Sequence, residues 1–526
     1  MKRSWVIHPF LFATFPVLSL LSTHVGQVPL EDAYRPLGLA LATVTVLGLA
    51  LWPIVRNPQK RGLAISALMF AFFAYGPIID GVRRALGHKV TLGTLPLSVL
   101  ATLALLGGGY ALHRLNQTRR DLTRLTTYLN RTALVAVLIP IGIVAFALAR
   151  HAHHAARPSQ TAASPSGVAP GNAAPDVYYI ILDAYARADI LKELYNYDND
   201  TFLNELGRRG FYVARKSFSN YGLTYLSLSS SLNLDYLDAL ARENRNSTDF
   251  FANVQEQCRR SRVAAFLREH GYTFLTFASG YTATSRIDAD ITLSPPLVFT
   301  ELDNALLNMT PIRTVLGRTA GPSPYAIHRN RILFILDRLS QVKHYGRPLF
   351  AFAHIEAPHP PYVFDADGSP VQPDRPFEVT DGQRFYQAGG TREEYISGYT
   401  RQLTYLNRRV LQTIDRILKR DPNSVIILQG DHGSRLRATN SAQTTYAKET
   451  AAILSAYYLP NRKAEGRLYD TISPVNTFRV IFDLYFGERY ELLPDRSFCI
   501  VSRPLWKVSI NRAATFISLI ARPGSA

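Results

Sequence analysis

Two different hydrophobic rhythms divide the chain. Over the first 150 residues, uncharged apolar stretches recur at about 5–23, 36–55, 62–79, 91–112 and 132–149, each close to the roughly 20 residues a helix needs to cross a bilayer. Five spans are predicted. Beyond residue 175 the apolar runs shorten to strand length: "DVYYIIL" (176–182), "YTFLTF" (272–277), "LFAFAHI" (349–355), "SVIIL" (424–428) and "AILSAYY" (452–458). Between the third and fourth, Ile396, Tyr399, Leu403, Leu406, Val410, Ile414 and Ile417 recur at spacings of three and four, the period of a helix with one buried face. Later, "SPVN" enters a second helical run whose Phe478, Val480, Ile481 and Leu484 read as core packing. Strands alternating with helices predict an α/β domain, its mostly parallel sheet covered by helices on both faces.

Residues 151–175, "HAHHAARPSQTAASPSGVAPGNAAP", are rich in Ala, Ser, Pro and Gly without apolar period, the composition of a flexible linker. His151, His153 and His154 are read as solvated linker residues rather than metal ligands. The division expected is a five-helix transmembrane domain over 1–150, a linker over 151–175, a catalytic domain over 176–510 and a tail over 511–526. "ARENRNSTDFFANVQ" and residues 365–393 read as loops that shape a substrate mouth.

Charge adds orientation. Of the short loops between spans, one set holds ten basic residues (Lys2, Arg3, Arg56, Lys60, Arg61, Arg114, Arg119, Arg120, Arg124, Arg131) and the other four (Arg35, Arg83, Arg84, Lys89). Basic loops stay cytoplasmic, so the N-terminus is expected inside and everything after residue 150 outside. Reading "MKRS" and its apolar run as a signal peptide leaves that outcome unchanged. Of the net charge of +18, +12 lies before residue 176. The excess is therefore topological, and with no basic tail or nucleic-acid motif, no nucleic-acid partner is expected. Cys258 and Cys499 both fall in the exported part, where a disulfide is compatible with the compartment but not established by spacing.

Three predicted strands end in groups that resist unpaired burial. Asp183 closes "YYIILDAY", "AHIEAPHPPY" follows the third strand, and "DHG" (431–433) follows the fourth. Ligand sites of open α/β sheets lie beyond the carboxyl ends of strands, and oxygen or nitrogen groups there escape the burial cost when they bind a cation. Gly433 is expected to let the backbone turn just past these groups. "SFSNYGLTYLSLSSSLN" (217–233) passes through a glycine into a helix-like run, which puts Thr224 near a helix N-terminus suited to a phosphate or sulfate anion. Thr224 is either a nucleophile beside a cation or an N-cap. Asn220 either bonds the reacting group or shapes the turn, and His354 is either a partner behind the ligands or a satisfied buried imidazole. His359, between Pro358 and Pro360, is a substrate contact or a turn residue. Arg435 is an anion clamp or an exposed loop residue.

The ordered set of an Asp after an apolar strand, Thr224 in "NYxxTxxS", then "PHPPY" and "DHG" resembles the alkaline phosphatase superfamily in its sulfatase-like branch. Spans, stem and exported domain are similar in layout to lipoteichoic acid synthases and phosphoethanolamine transferases. The resemblance implies one divalent ion (Mn, Mg or Zn) held by Asp183, Thr224, Asp431 and His432, with Thr224 also the attacking group. It further implies that His359 contacts substrate; Asn220, His354 and Arg435 are lesser candidates for that role on their own chemistry and position. The C/S-x-P-x-R pattern of formylglycine sulfatases is absent, since Cys258 is followed by "RRSR". The expected protein is an inner-membrane enzyme acting outside the cytoplasm on phosphate, less readily sulfate, esters of envelope lipids or glycans. The alternative is a non-catalytic envelope protein that keeps the fold.

Overall fold

The computed structural model describes residues 5–25, 28–86, 107–155, 174–243, 250–285, 287–313, 323–342, 346–373, 375–437, 443–460, 466–500 and 516–518. It separates into two compact units, residues 1–160 with 299–321, and residues 161–298 with 322–526.

The first unit is helical. Among the described residues, Leu30–Ala50, Pro58–Val82 and Thr123–Ala149 are long and apolar enough to cross a membrane. His8–Thr23 is apolar but has only 16 residues, about 24 Å of helix against a hydrocarbon core of roughly 30 Å. The expected span 91–112 lies largely outside the described residues, as do most of the linker 151–175 and the tail 511–526. The periodicity gave no hint that residues 299–321 join this unit. Helix Glu301–Met309 starts in a capping box between Thr300 and Asp303. It buries Leu302 and Leu306 among Val17, Leu21, Ala33 and Val144, and Arg313 pairs with Asp80 at 2.9 Å.

The second unit is built on seven strands: β1 (Val177–Leu182), β2 (Tyr212–Val213), β3 (Thr273–Phe277), β4 (Ile291–Leu293), β5 (Leu349–Ile355), β6 (Val425–Gly430) and β7 (Ser455–Tyr458). Their order across the sheet is β2-β7-β6-β1-β5-β3-β4. β1 runs parallel to both β5 and β6, and β3 parallel to β5 and β4. β7 is antiparallel to β6, and β2 to β7. The expected parallel α/β sheet is thus present with one reversed strand toward an edge, and the very short β2 and β4 carry too little apolar pattern to be read in advance.

Every residue of β1 is buried, because its two faces meet two different helical layers. Tyr178, Ile180 and Leu182 pack with the Leu403–Ile417 stripe of helix Arg392–Arg420, while Val177, Tyr179 and Ile181 pack with Phe478 and Phe482 of helix Pro474–Phe486. A strand covered on both faces reads as an unbroken apolar run, which is why polar groups are displaced to its end. Cys258 is a buried, unbridged thiol in the second layer, pushed up to about 12 by burial. It is a core residue, and no disulfide joins it to Cys499.

Candidate active site

Register brings the strand ends together. Leu182 aligns with Ile355 on one side and with Gly430 on the other, so the next residues, Asp431, Asp183 and Glu356, emerge side by side. Backbone bonds extend the row: Asp183 N–H donates to Ile355 C=O at 2.9 Å, and Ala184 N–H donates to Asp431 Oδ1 at 3.0 Å. Gly433 is needed here for a reason other than turning. Its φ is not positive, but a Cβ would lie 2.1 Å from the Glu449 carbonyl oxygen and 2.7 Å from that of Ala452. Only a residue without a side chain lets the segment pass this close to helix Gln443–Ala451.

The three acids have different fates. Glu356 is buried against Arg331, with His328 at 3.5 Å, and is neutralised away from the others. Asp183 and Asp431 each have one oxygen satisfied, Asp183 Oδ2 by His354 Nε2 at 3.2 Å and Asp431 Oδ1 by the Ala184 N–H. The other oxygens, Asp183 Oδ1 and Asp431 Oδ2, are buried without a hydrogen-bond partner. His432 Nε2 lies 3.4 Å from the first and 3.6 Å from the second. His432 Nδ1–H donates to the Gly433 carbonyl at 2.7 Å, which leaves the lone pair on Nε2 in the neutral ring and aims it at the two oxygens. One ligand atom from each of these three residues falls within 4.8 Å of the others. Two orphaned oxygens and an imidazole lone pair converging in a dry interior are a donor set that fits a divalent cation.

The electrostatics agree with an acidic focus. Burial raises the Asp183 carboxyl, but the imidazoles of His359, His354 and His432 outweigh it and hold it below the usual carboxylate range. Burial lowers His354 and His359, and the Asp183 carboxylate outweighs it and raises both.

The remaining sequence candidates divide cleanly. Thr224 is the first residue of helix Thr224–Asn233; its cap is Leu223, and no side-chain cap bond forms, so Thr224 is not an N-cap. The loop before it is fastened to the "DHG" segment, because Ser219 Oγ donates to the Asp431 carbonyl and Arg435 Nη2 donates to the Gly222 carbonyl at 2.5 Å. Arg435 Nη2 also lies 3.5 Å from His432 Nε2, inside the cluster rather than on an exposed loop. His359 N–H donates to the Asp183 carbonyl at 3.0 Å, and its ring centroid is 6.4 Å from that of His432. Its Nδ1–H donates to the Pro360 carbonyl, and its Nε2 is 3.9 Å from Asp381 Oδ2.

Two candidates for substrate contact are placed elsewhere. His354 uses both ring nitrogens, on Thr284 Oγ1 at 2.8 Å and on Asp183, so it orients the carboxylate from behind. Asn220 uses its amide on backbone groups, donating to the Arg496 carbonyl at 2.9 Å and accepting from Val475 N–H at 2.8 Å; it shapes the turn. Sequence reasoning missed Asp381, Tyr395, Glu449 and the Glu356–Arg331 pair. Glu356 stood in the quoted "AHIEAPHPPY" run, whereas the others carry no motif and are recognisable only by what they touch.

Residues 175–463 match the family model described as sulfatase, which is more than half of the chain. The chain belongs to the sulfatase family. No curated protein matches it. Similar solved structures include the zinc complex of the C-terminal periplasmic domain of EptC from Escherichia coli, at 11% identity and TM-score 0.42, covering 67% of this chain and 94% of that one. The integral membrane lipooligosaccharide phosphoethanolamine transferase A (EptA) from Neisseria meningitidis aligns at 12% identity and TM-score 0.38, covering 91% of this chain and 94% of that one. The 2-O GAG sulfatase BT1596 aligns at 13% identity and TM-score 0.38, covering 62% and 77%. In this sulfatase domain Cys258 is a buried core thiol and stands in no C/S-x-P-x-R pattern.

Proposed function

We propose that this sulfatase-family protein is an inner-membrane, metal-dependent transferase or hydrolase. It acts outside the cytoplasm on phosphate esters of envelope lipids or glycans, with Thr224 as nucleophile. The observation that carries the reading is the pair of buried, partnerless oxygens on Asp183 and Asp431 facing the His432 lone pair. A divalent Mn, Mg or Zn ion held by Asp183, Asp431, His432 and Thr224 would supply charge neutralisation and ease loss of the threonine proton.

The chain's own groups account for the rest. The first-turn N–H groups of helix Thr224–Asn233 and the Arg435 guanidinium bind the ester's anionic oxygens. Thr224 Oγ1 forms a bond to phosphorus as the bond from phosphorus to the departing alcohol breaks, and the hydroxyl proton leaves with that alcohol. His359, whose Nε2 lies near Asp381 and whose ring the Asp183 carboxylate helps to charge, donates Nε2–H to a substrate oxygen when protonated. Water or a second alcohol then attacks the phosphothreonine, restoring Thr224 and releasing phosphate or the phosphate ester of the second alcohol. The apolar N-terminal helices suit a bilayer-held enzyme, and tethering raises the effective concentration of lipid-borne substrate. Transfer is preferred to hydrolysis because the layout of spans, stem and exported domain resembles that of phosphoethanolamine transferases.

The test is to purify the full chain in detergent, measure bound metal, and assay p-nitrophenyl phosphate, bis-p-nitrophenyl phosphate and p-nitrophenyl sulfate beside Thr224→Ala. Phosphate ester turnover, a phosphate adduct on the Thr224 peptide and loss of both in the variant are expected. Equal turnover by wild type and variant refutes the nucleophile. Metal binding without turnover of any ester, together with unchanged envelope lipids in a deletion strain, favours the non-catalytic alternative.

A further inference from the structure

Three loops carry the proposed site, and one helix touches all three. Helix Arg392–Arg420 buries an apolar stripe on the sheet along its C-terminal half. Its N-terminal half instead presents Tyr395, Tyr399 and Gln402, each fully buried. Spacings of four and three put them on one face. Tyr399 OH donates to the Ala184 carbonyl at 2.7 Å and accepts from Ala186 N–H at 3.0 Å, gripping the loop after β1. Gln402 accepts from Val363 N–H at 2.8 Å and donates to the His359 carbonyl at 3.2 Å, gripping the loop after β5. Tyr395 OH accepts from Arg435 N–H at 3.1 Å and donates to Asp381 Oδ1 at 2.6 Å, joining the loop after β6 to the segment that faces His359.

These contacts do more than satisfy buried polar groups. Ala184 sits at φ +61°, a left-handed conformation that costs a non-glycine residue of order 1 kcal/mol or more and persists only where its surroundings impose it. Its N–H is bonded to Asp431 and its C=O to Tyr399, so the strained residue is a link between the helix and a carboxylate of the cluster. Gly398, on the same stretch, leaves no room for a side chain: a Cβ there would lie 2.2 Å from the Tyr362 ring, so the helix and the "PHPPY" loop are in direct contact.

We infer that Tyr395, Tyr399 and Gln402 are positioning residues: one face of a core helix sets the spacing of three loops, and so of Asp183 and Asp431 relative to His359 and Arg435. The inference deepens the reading above and rests on it for the roles of those four residues. Each contact has its own expected consequence. Loss of the Tyr399 hydroxyl frees Ala184 and disturbs Asp431; loss of the Tyr395 hydroxyl frees Arg435 and Asp381; loss of the Gln402 amide frees Val363 and His359.

The experiment compares the full-length wild type in detergent with Tyr395→Phe, Tyr399→Phe and Gln402→Leu, and with Thr413→Val as a control. Thr413 lies on the same helix and donates to the Leu336 carbonyl, far from any of the three loops in the chain. Hydrogen exchange followed by peptide mass analysis is expected to quicken at Arg435 in the first variant, at Ala186 in the second and at Val363 in the third, each without the other two, and at none of them in Thr413→Val. Zinc or manganese affinity, measured by chelator competition, is expected to fall about 10-fold or more in Tyr399→Phe, the usual effect of removing a partner behind a metal ligand, and to stay at the wild-type value in Thr413→Val. Exchange that rises evenly over the unit in every variant, or an unchanged metal affinity in Tyr399→Phe, overturns the inference. Absence of metal binding in the wild type overturns the functional reading instead, while the exchange pattern still decides whether the helix sets the loops.

Discussion

The sharpest consequence of two partnerless carboxylates is a reversal of sign in one variant. One carboxylate oxygen of Asp183 and one of Asp431 lie within 4.8 Å of each other. Two like charges at that separation repel by about 3 kcal/mol at an effective dielectric near 20, and each buried oxygen without a partner costs roughly 1–3 kcal/mol more. Asp431→Asn removes one charge, keeps Oδ1 for the Ala184 N–H, and turns an amide N–H toward Asp183. Without metal, at pH 8, the variant is expected to be more stable than wild type by about 1–3 kcal/mol, which at roughly 2–4 °C per kcal/mol is several degrees in apparent Tm. With zinc or manganese at a hundred times its dissociation constant, wild type gains about 2.7 kcal/mol and the variant gains little. Thermal unfolding of both proteins in chelator and in metal checks this. A variant that is less stable in chelator and gains as much from metal as wild type would refute the view that these oxygens are held apart for a cation.

Other outcomes follow from single contacts. Glu449 accepts from Ser434 Oγ, Leu436 N–H and Arg437 N–H. Burial outweighs these bonds and raises its carboxyl from the ordinary 4.5 to about 7. A raised folded-state pKa means stability present below about 4.5 and lost as pH rises toward 7, on the order of 3 kcal/mol in all. Glu449→Gln is expected to flatten that part of a Tm-against-pH curve, and parallel curves would contradict it. Gly433→Ala forces a Cβ to 2.1 Å from a backbone carbonyl and is expected to destabilise the second unit by about 2 kcal/mol or more, read by denaturant unfolding. Arg435→Ala is expected to lower kcat/KM for a phosphate ester by roughly 10- to 100-fold, the worth of a charge-assisted bond to an anion, while Zn or Mn affinity changes much less.

Much of this architecture was legible because burial writes a local pattern. A strand sandwiched between two layers must be apolar throughout, so β1, β5 and β6 announced themselves, and the polar groups at their ends stood out by contrast. The stripe from Tyr399 to Ile417 announced the long helix. The same pattern misled or fell silent where a residue's task depends on its partner. Tyr399 reads as a core residue in sequence because a buried aromatic ring has the same periodicity whether or not its hydroxyl holds a loop, and Tyr395 and Gln402 carry no signal of their own. Asn220 looked as suited to substrate as to a turn, since an amide's bonding partners are not written beside it.

What the chain's own order of residues determined is therefore the set of elements and the kinds of group at their ends, both consequences of short-range periodicity and side-chain chemistry. Only the tertiary structure decided that β1 lies between β5 and β6. That placement sets Asp183 beside Asp431 and leaves Glu356 to Arg331. It also decided that residues 301–313 pack with the N-terminal helices. Strand order and helix docking are settled by pairing and packing between residues more than a hundred positions apart, and no local period records which distant partner wins.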